Sequence, residues 1–135
     1  MKLKLATGII SLLTLTTSCT RSLDSNNATN VVTEGTWRIT LFTDSGNDET
    51  SDFSGYGFSF NSSGVMTAIS NGISKNGTWS TGSNKFNIDL GAKTDANKPL
   101  GELTDDWQII SISDIEINLT DDNIASTEFL TFKKN

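Results

Sequence analysis

A chain of 135 residues with one Pro, one Cys and abundant Gly, Ser, Thr and Asn has room for one domain. It favours short strands joined by polar turns. The net charge of −6 argues against nucleic acid, which needs clustered Lys and Arg, and the absence of His removes Ser-His-Asp and Cys-His chemistry and His-containing metal sites.

The first segment reads as an address. Lys2 and Lys4 precede an apolar core from Leu5 to Leu15, and Thr16-Thr17-Ser18 lead into Cys19. A basic start, a short apolar core and small residues make a secretory signal. The core is well short of the roughly 20 residues that span a bilayer as a mature helix. Cys19 is the single cysteine, so it has no internal disulfide partner. Its position behind Ser18 resembles the lipobox of bacterial lipoproteins, with Thr16 where Leu is usual. The resemblance implies a signal peptide over residues 1–18, cleavage before Cys19 and acyl chains, palmitate among them, attached there. The alternative is an ordinary signal peptide with a leftover Cys. Each buried CH₂ contributes about 0.8 kcal/mol, so several acyl chains anchor effectively permanently. Removing residues 1–18 takes Lys2 and Lys4 away and leaves the mature chain more acidic still. Residues 19–30 are polar and without periodicity, which reads as a flexible tether. Thr20, and not Asp, follows the Cys; by analogy this favours the outer membrane of a Gram-negative-type envelope.

Residues 31–135 form the domain, and its period is two. Trp37, Ile39 and Leu41 alternate with Arg38 and Thr40; Tyr56, Phe58 and Phe60 alternate with Gly57 and Ser59. Val65–Ser70 makes a third strand. Ile73–Ser80 makes a fourth, with a bulge expected at Gly77. Phe86, Ile88 and Leu90 mark the fifth, Trp107–Ile112 the sixth, Ile115, Ile117 and Leu119 the seventh, and Glu128–Lys133 the eighth. Such alternation signals half-buried antiparallel strands. No segment has a convincing helical period; only the stretch before Trp37 and Ala92–Leu103 have room to hide a helix.

Tight turns at Asn61–Gly64, Thr81–Asn84 and Ser113-Asp114 fall at one end of an up-and-down sheet. The longer links Thr43–Gly55, Gly91–Glu102 and Asp121–Thr127 fall at the other, with Asn71-Gly72 as a two-residue hairpin. The fold expected is all-β: a single up-and-down antiparallel barrel of about eight strands, with a closed floor and an open mouth. A two-sheet sandwich is the alternative, but it usually needs a longer crossover.

Gly35-Thr36-Trp37 at the start of the first strand resembles the Gly-X-Trp signature of lipocalins. The order of a first "GTW", an aromatic strand, the turn "NSSG", a second "GTW" at Gly77–Trp79 and a late "LTFKK" is similar to lipocalin-like domains of small bacterial envelope lipoproteins. The resemblance implies a barrel binding a small apolar or amphiphilic ligand. It also implies an Arg from near the last strand over the first Trp; this chain departs from that pattern, with no Arg there and Lys133 or Lys134 as the expected substitute.

The inward set is Trp37, Ile39, Leu41, Tyr56, Phe58, Phe60, Trp79, Phe86, Ile88, Leu90, Trp107, Ile109, Ile115, Ile117, Leu119, Leu130 and Phe132. It is bulky enough to fill an eight-stranded barrel, and a packed interior stands beside a ligand cavity. Phe42, Phe129, Ile110 and Ile112 fall on the opposite parity, as outward contacts or as marks of a bulge. Trp37 and Trp79 are expected to be neighbours at the floor. A ligand site belongs at the mouth, lined by Trp107 and Tyr56 under an acidic rim of Asp44, Asp48, Glu49, Asp52, Asp105 and Asp106, which favours neutral or cationic amphiphiles. The stretch Asp44–Glu49 lacks the Gly and Glu spacing of a calcium loop. No catalytic constellation, cofactor site or metal site is read from the sequence. An interaction protein of the envelope with a filled barrel is the alternative function.

Overall fold

Alternation beginning at Trp37 closes on itself. The computed structural model describes residues 25–135; the segment read as a signal peptide, Cys19 and the first part of the segment read as a tether lie outside them. The strands are β1 (Trp37–Asp44), β2 (Asn47–Asp48), β3 (Gly57–Phe60), β4 (Val65–Ser70), β5 (Ile73–Gly82), β6 (Lys85–Asp89), β7 (Asp105–Ile112), β8 (Glu116–Thr120) and β9 (Phe129–Lys134). Every pairing is antiparallel. β1 and β3 through β9 run in sequence order around the sheet, and β1 pairs with β9 from Trp37↔Lys134 to Thr43↔Phe129. The result is the expected closed eight-stranded barrel, with β2 added as a two-residue extension beside β1. Closure leaves no long free edge.

The tight turns form where their residues predict. Asn71 and Gly72 adopt φ 51° and 77°, and Ser83 and Asn84 adopt 51° and 64°. Positive φ at both central residues is the hairpin turn whose twist matches the strands. At Asn61–Gly64 the Asn61 carboxamide accepts from Ser63 N at 2.8 Å.

The β1–β3 seam is short, with Trp37↔Phe58 as its paired position. Above it the β1 edge is covered by the following connection: Glu49 N donates to Phe42 O at 2.9 Å and Phe42 N donates to Thr50 Oγ1 at 2.9 Å.

Two bulges explain Phe42, Ile110 and Ile112 among the residues of opposite parity, while Phe129 is an outward contact, 41% exposed. β1 slips against β9 between Ile39 and Leu41, and β7 slips against β8 between Ile109 and Ser111. Past the first, Phe42 is buried and Leu41 faces out, 37% exposed. Past the second, Ile112 packs against the core while Ile110 faces solvent. Leu41 therefore leaves the inward set, because one extra residue inverts every later side chain. Ile115 leaves it too: it sits in the β7–β8 turn and is 65% exposed. The bulge expected at Gly77 is absent, since β5 keeps register through it. Glycine stands there because a Cβ would lie 2.1 Å from Asp89 O.

A helix, α1 (Ser25–Val32), precedes the barrel and occupies the second half of the segment read as a tether. Its residues are poor helix formers. It is held by tertiary contact, with Ala28 and Val32 buried one turn apart and the helix packed against β5. The connection Ala92–Leu103 also holds short helical turns, at Asp95–Asn97 and Leu100–Leu103.

α1 lies at the floor. Gly35, at φ 76°, turns the chain from the helix into β1. The Trp37 indole donates to Val32 O at 3.0 Å, and Lys134 Nζ lies 5.0 Å over its ring. Lys134 thus fills the place of the expected cation. Trp79 is also buried, but its partners differ: it donates to Asn61 O at 2.8 Å and packs on Phe60 and Phe86 at 5.3 and 5.5 Å. Among the described residues the two indoles form no ring pair. Each Gly-Thr-Trp instead seals its own part of the floor, one against the helix and one against the Asn61–Gly64 turn.

Phe60 links the interior, meeting Trp79, Phe86 and Phe132 at 5.3–5.6 Å, and Phe132 meets Phe58 at 5.4 Å. Trp37, Trp107, Phe58, Phe86 and Phe132 are fully buried. An eight-stranded barrel has just enough width for such a filling.

Candidate functional site at the barrel mouth

Four connections meet at the end opposite α1. Two of them carry apolar residues that close it. Phe53, in a short helical turn (Thr50–Phe53), packs on Phe42 at 5.1 Å. Leu100 and Leu103, from the β6–β7 connection, are buried. Asn97 braces that connection by donating to Leu90 O and Ala92 O at 3.2 and 2.9 Å. Thr104 Oγ1 ties its ends, accepting from Leu90 N at 2.9 Å and donating to Gly91 O at 2.7 Å. The mouth expected to be open is therefore capped from inside its own loops.

The two residues read as a ligand site separate. Trp107 is 1% exposed, donates its indole N–H to Leu103 O at 2.9 Å and packs on Phe42 at 6.4 Å. It belongs to the sealed core. Tyr56 is half-buried, stacked on Phe58 at 6.1 Å, and borders two recesses partly open to solvent. One, of about 300 Å³, lies between Tyr56, Ala68, Ile73, Lys75 and Leu100. The other, of about 480 Å³, follows the short β1–β3 seam between Arg38, Ile39 and Phe53–Gly57. A third, of about 460 Å³, lies on the outer face of β5, β6 and β7 beside Asp89, Asp105 and Asp106. The charged side chain lining the first recess is Lys75, which donates to the Asn97 carboxamide, so the acidic rim does not border the opening at Tyr56.

The rim itself is a row of carboxylates. Asp44, Glu49 and Glu102 bring one oxygen each within 4.8 Å of one another, as do Asp105, Asp121 and Glu128. Asp44 and Glu128 are in hydrogen-bond contact and join the two groups. Lys98 stands 3.5 Å from Glu102 at one end and Lys93 stands 2.7 Å from Asp105 at the other. Burial, contact with Asp44 and the charge of Asp121 push Glu128 up to about 7. Burial and the nearby Glu102 also raise Glu49 above the usual carboxylate range. The sequence shows the acids but not their convergence: Glu102, Asp121 and Glu128 lie outside the rim it suggests. Asp44–Glu49 itself is a hairpin turn, with Asp44↔Asn47 paired and Ser45 and Gly46 at φ 51° and 80°.

Two solved structures share this architecture. One is a DUF4847 family protein from Bacteroides vulgatus, with a TM-score of 0.55 and 16% identity over 78% of this chain and 96% of that one. The other is a protein from Burkholderia xenovorans, with a TM-score of 0.50 and 16% identity over 80% of this chain and 86% of that one. At such identity the likeness is one of fold. No protein-family model and no curated protein matches the chain. The lipocalin-like reading thus keeps its barrel from the structure, and the rest of it stands on the motifs in the sequence.

Proposed function

We propose that the protein is a lipid-anchored, non-enzymatic envelope lipoprotein whose filled barrel serves as an interaction module, meeting another envelope component through its outer face and mouth loops. The observation that carries this reading is the packed interior. Trp37 and Trp107 are both fully buried, Val32 closes the floor, and Phe53, Leu100 and Leu103 close the mouth. A carrier of apolar cargo needs a cavity, and native packing density leaves none where aromatic rings meet at 5–6 Å. Exposed Ile69 and Ile73, at 48% and 77%, give the β4–β5 hairpin apolar contact surface.

The lipobox resemblance at Cys19 supplies the anchor, with outer-membrane placement as the favoured address. Residues 20–24 separate Cys19 from α1 and reach at most about 18 Å when extended. With the anchor in place, the floor then faces the bilayer and the mouth faces away. A second reading is a small ligand held in one of the recesses beside Tyr56.

Two measurements test this. Cys19→Ser should release the protein from the detergent-extractable membrane fraction with loss of the acyl mass; an unchanged mass and location refutes the anchor. Titration with neutral, cationic and anionic amphiphiles should leave the Trp emission unchanged. A ligand that shifts it and is insensitive to Tyr56→Ala would mean that the interior opens, against the filled-barrel reading.

A further inference from the structure

The β1–β2 hairpin and the 121–128 connection close over the mouth side by side. Thr43 Oγ1 donates to Thr127 O at 3.0 Å and accepts from Phe129 N at 3.0 Å. Thr127 holds a left-handed conformation at φ 52° there, and a Cβ on Gly46 would lie 3.2 Å from its hydroxyl. Beneath them Phe42 and Trp107 form part of the buried core.

Asp44 and Glu128 are the next residues beyond the antiparallel Thr43↔Phe129 pair, so the register sets their two carboxyl groups side by side at this junction. Ionised carboxylates only accept hydrogen bonds, so the contact is a bond only while one of the two holds a proton. The ammonium groups nearby are engaged one step further along the row, Lys93 with Asp105 and Lys98 with Glu102. The junction therefore depends on a proton, while its other bonds do not.

We propose that Asp44 and Glu128 form a proton-held latch: with one proton shared, the β1–β2 hairpin and the 121–128 connection stay closed over Phe42 and Trp107, and loss of that proton loosens both. The groups that face Glu128 set the direction. Asp44 on β1, Asp121 on its own connection and Asp105 at the start of β7 all repel its charged form, and Lys93 from the β6–β7 connection offsets them in part. Asp44 in turn faces Glu49 and Glu102. The raised Glu128 value, about 7, places the change in the neutral range.

Amide hydrogen exchange on the full chain, in EDTA to exclude divalent cations, tests the latch. Rates are compared at about pH 6 and about pH 8.5 after correction for intrinsic exchange. The expected result is that residues 44–48 and 121–128 lose about tenfold or more of their protection at the higher pH, the factor that one pKa unit represents, while Ile117–Leu119 in the wall do not. Glu128→Gln, whose carboxamide donates to Asp44 at any pH, should show equal protection at both, and Asp44→Asn should do the same from the other side. A Glu128 carboxyl that titrates by carbon NMR in the usual carboxylate range would overturn the latch. So would a wild-type protein with pH-independent protection, or variants that lose protection in parallel with it.

Discussion

Two glycines on one strand separate backbone freedom from close packing. Gly77 and Gly82 both lie on β5 and neither has a positive φ, so the backbone tolerates alanine at both. Alanine at such a position ordinarily stabilises by about 0.4–1 kcal/mol, by restricting the unfolded chain. At Gly82 nothing lies within 4 Å of the new methyl, so Gly82→Ala should be neutral or gain that amount. At Gly77 the methyl would meet Asp89 O at 2.1 Å and Leu90 Cδ2 at 2.8 Å. The first of these is backbone, so β5 and β6 must move apart by roughly 1 Å, while Trp79↔Ile88 two residues on holds them together. Overpacking of a tight interior costs about 1–3 kcal/mol. A shift of paired backbone belongs at the upper end, about 3 kcal/mol, or a melting temperature lower by about 12 °C for a domain of this size. Urea and thermal unfolding of the two variants beside the parent measure both effects. If Gly77→Ala stays within about 1 kcal/mol of the parent, or Gly82→Ala loses as much as Gly77→Ala, the close-approach argument is wrong.

Trp37→Phe keeps the ring in place but strands the Val32 carbonyl, and should cost about 1–3 kcal/mol, with earlier loss of α1 protection in hydrogen exchange. Equal stability with intact α1 protection would mean that the indole N–H does not hold the helix. Glu128 binds its proton more tightly in the folded protein than at its ordinary value of 4.5, so between about 4.5 and about 7 the folded state carries more protons than the unfolded one. Its contribution to stability is present at low pH and is lost as pH rises through that window. Glu128→Gln, with no proton to lose, should flatten this part of the curve of melting temperature against pH, and an unflattened curve would assign the slope to other groups.

Much of the barrel is legible in the sequence because period-two alternation and left-handed turn residues are local signals. Asn71-Gly72 and Ser83-Asn84 close hairpins where their residue types allow positive φ. The cation over Trp37 was legible to within one residue, and Lys134 takes it because Lys133 turns outward to Glu116. The bulges were half legible: Leu41-Phe42 and Ile109-Ile110 place two apolar residues in succession, which shows that parity changes without showing where. The helix α1 was hidden, since Ser25–Val32 has no propensity to read and forms against β5. The closure of the mouth was hidden for a different reason. Phe53, Leu100 and Leu103 are large apolar residues inside polar loops, and such residues signal that a loop folds inward. Trp107 joins them in the core, donating its indole N–H to Leu103 O.

The β1–β9 seam sets the tempo of folding. Its partners stand nearly the whole domain apart in the chain, and Asn135 N reaches Thr36 O at 2.9 Å to finish it. Six of the barrel's eight seams can form as each strand follows the last, but the two that β9 makes, with β8 and with β1, await residues 129–134. Until then β1 and β8 are two bare edges on a strip of apolar sheet. Contacts of such long separation slow two-state folding and prolong exposure of those edges. A nascent chain is therefore most prone to edge-to-edge association in the interval before β9 inserts.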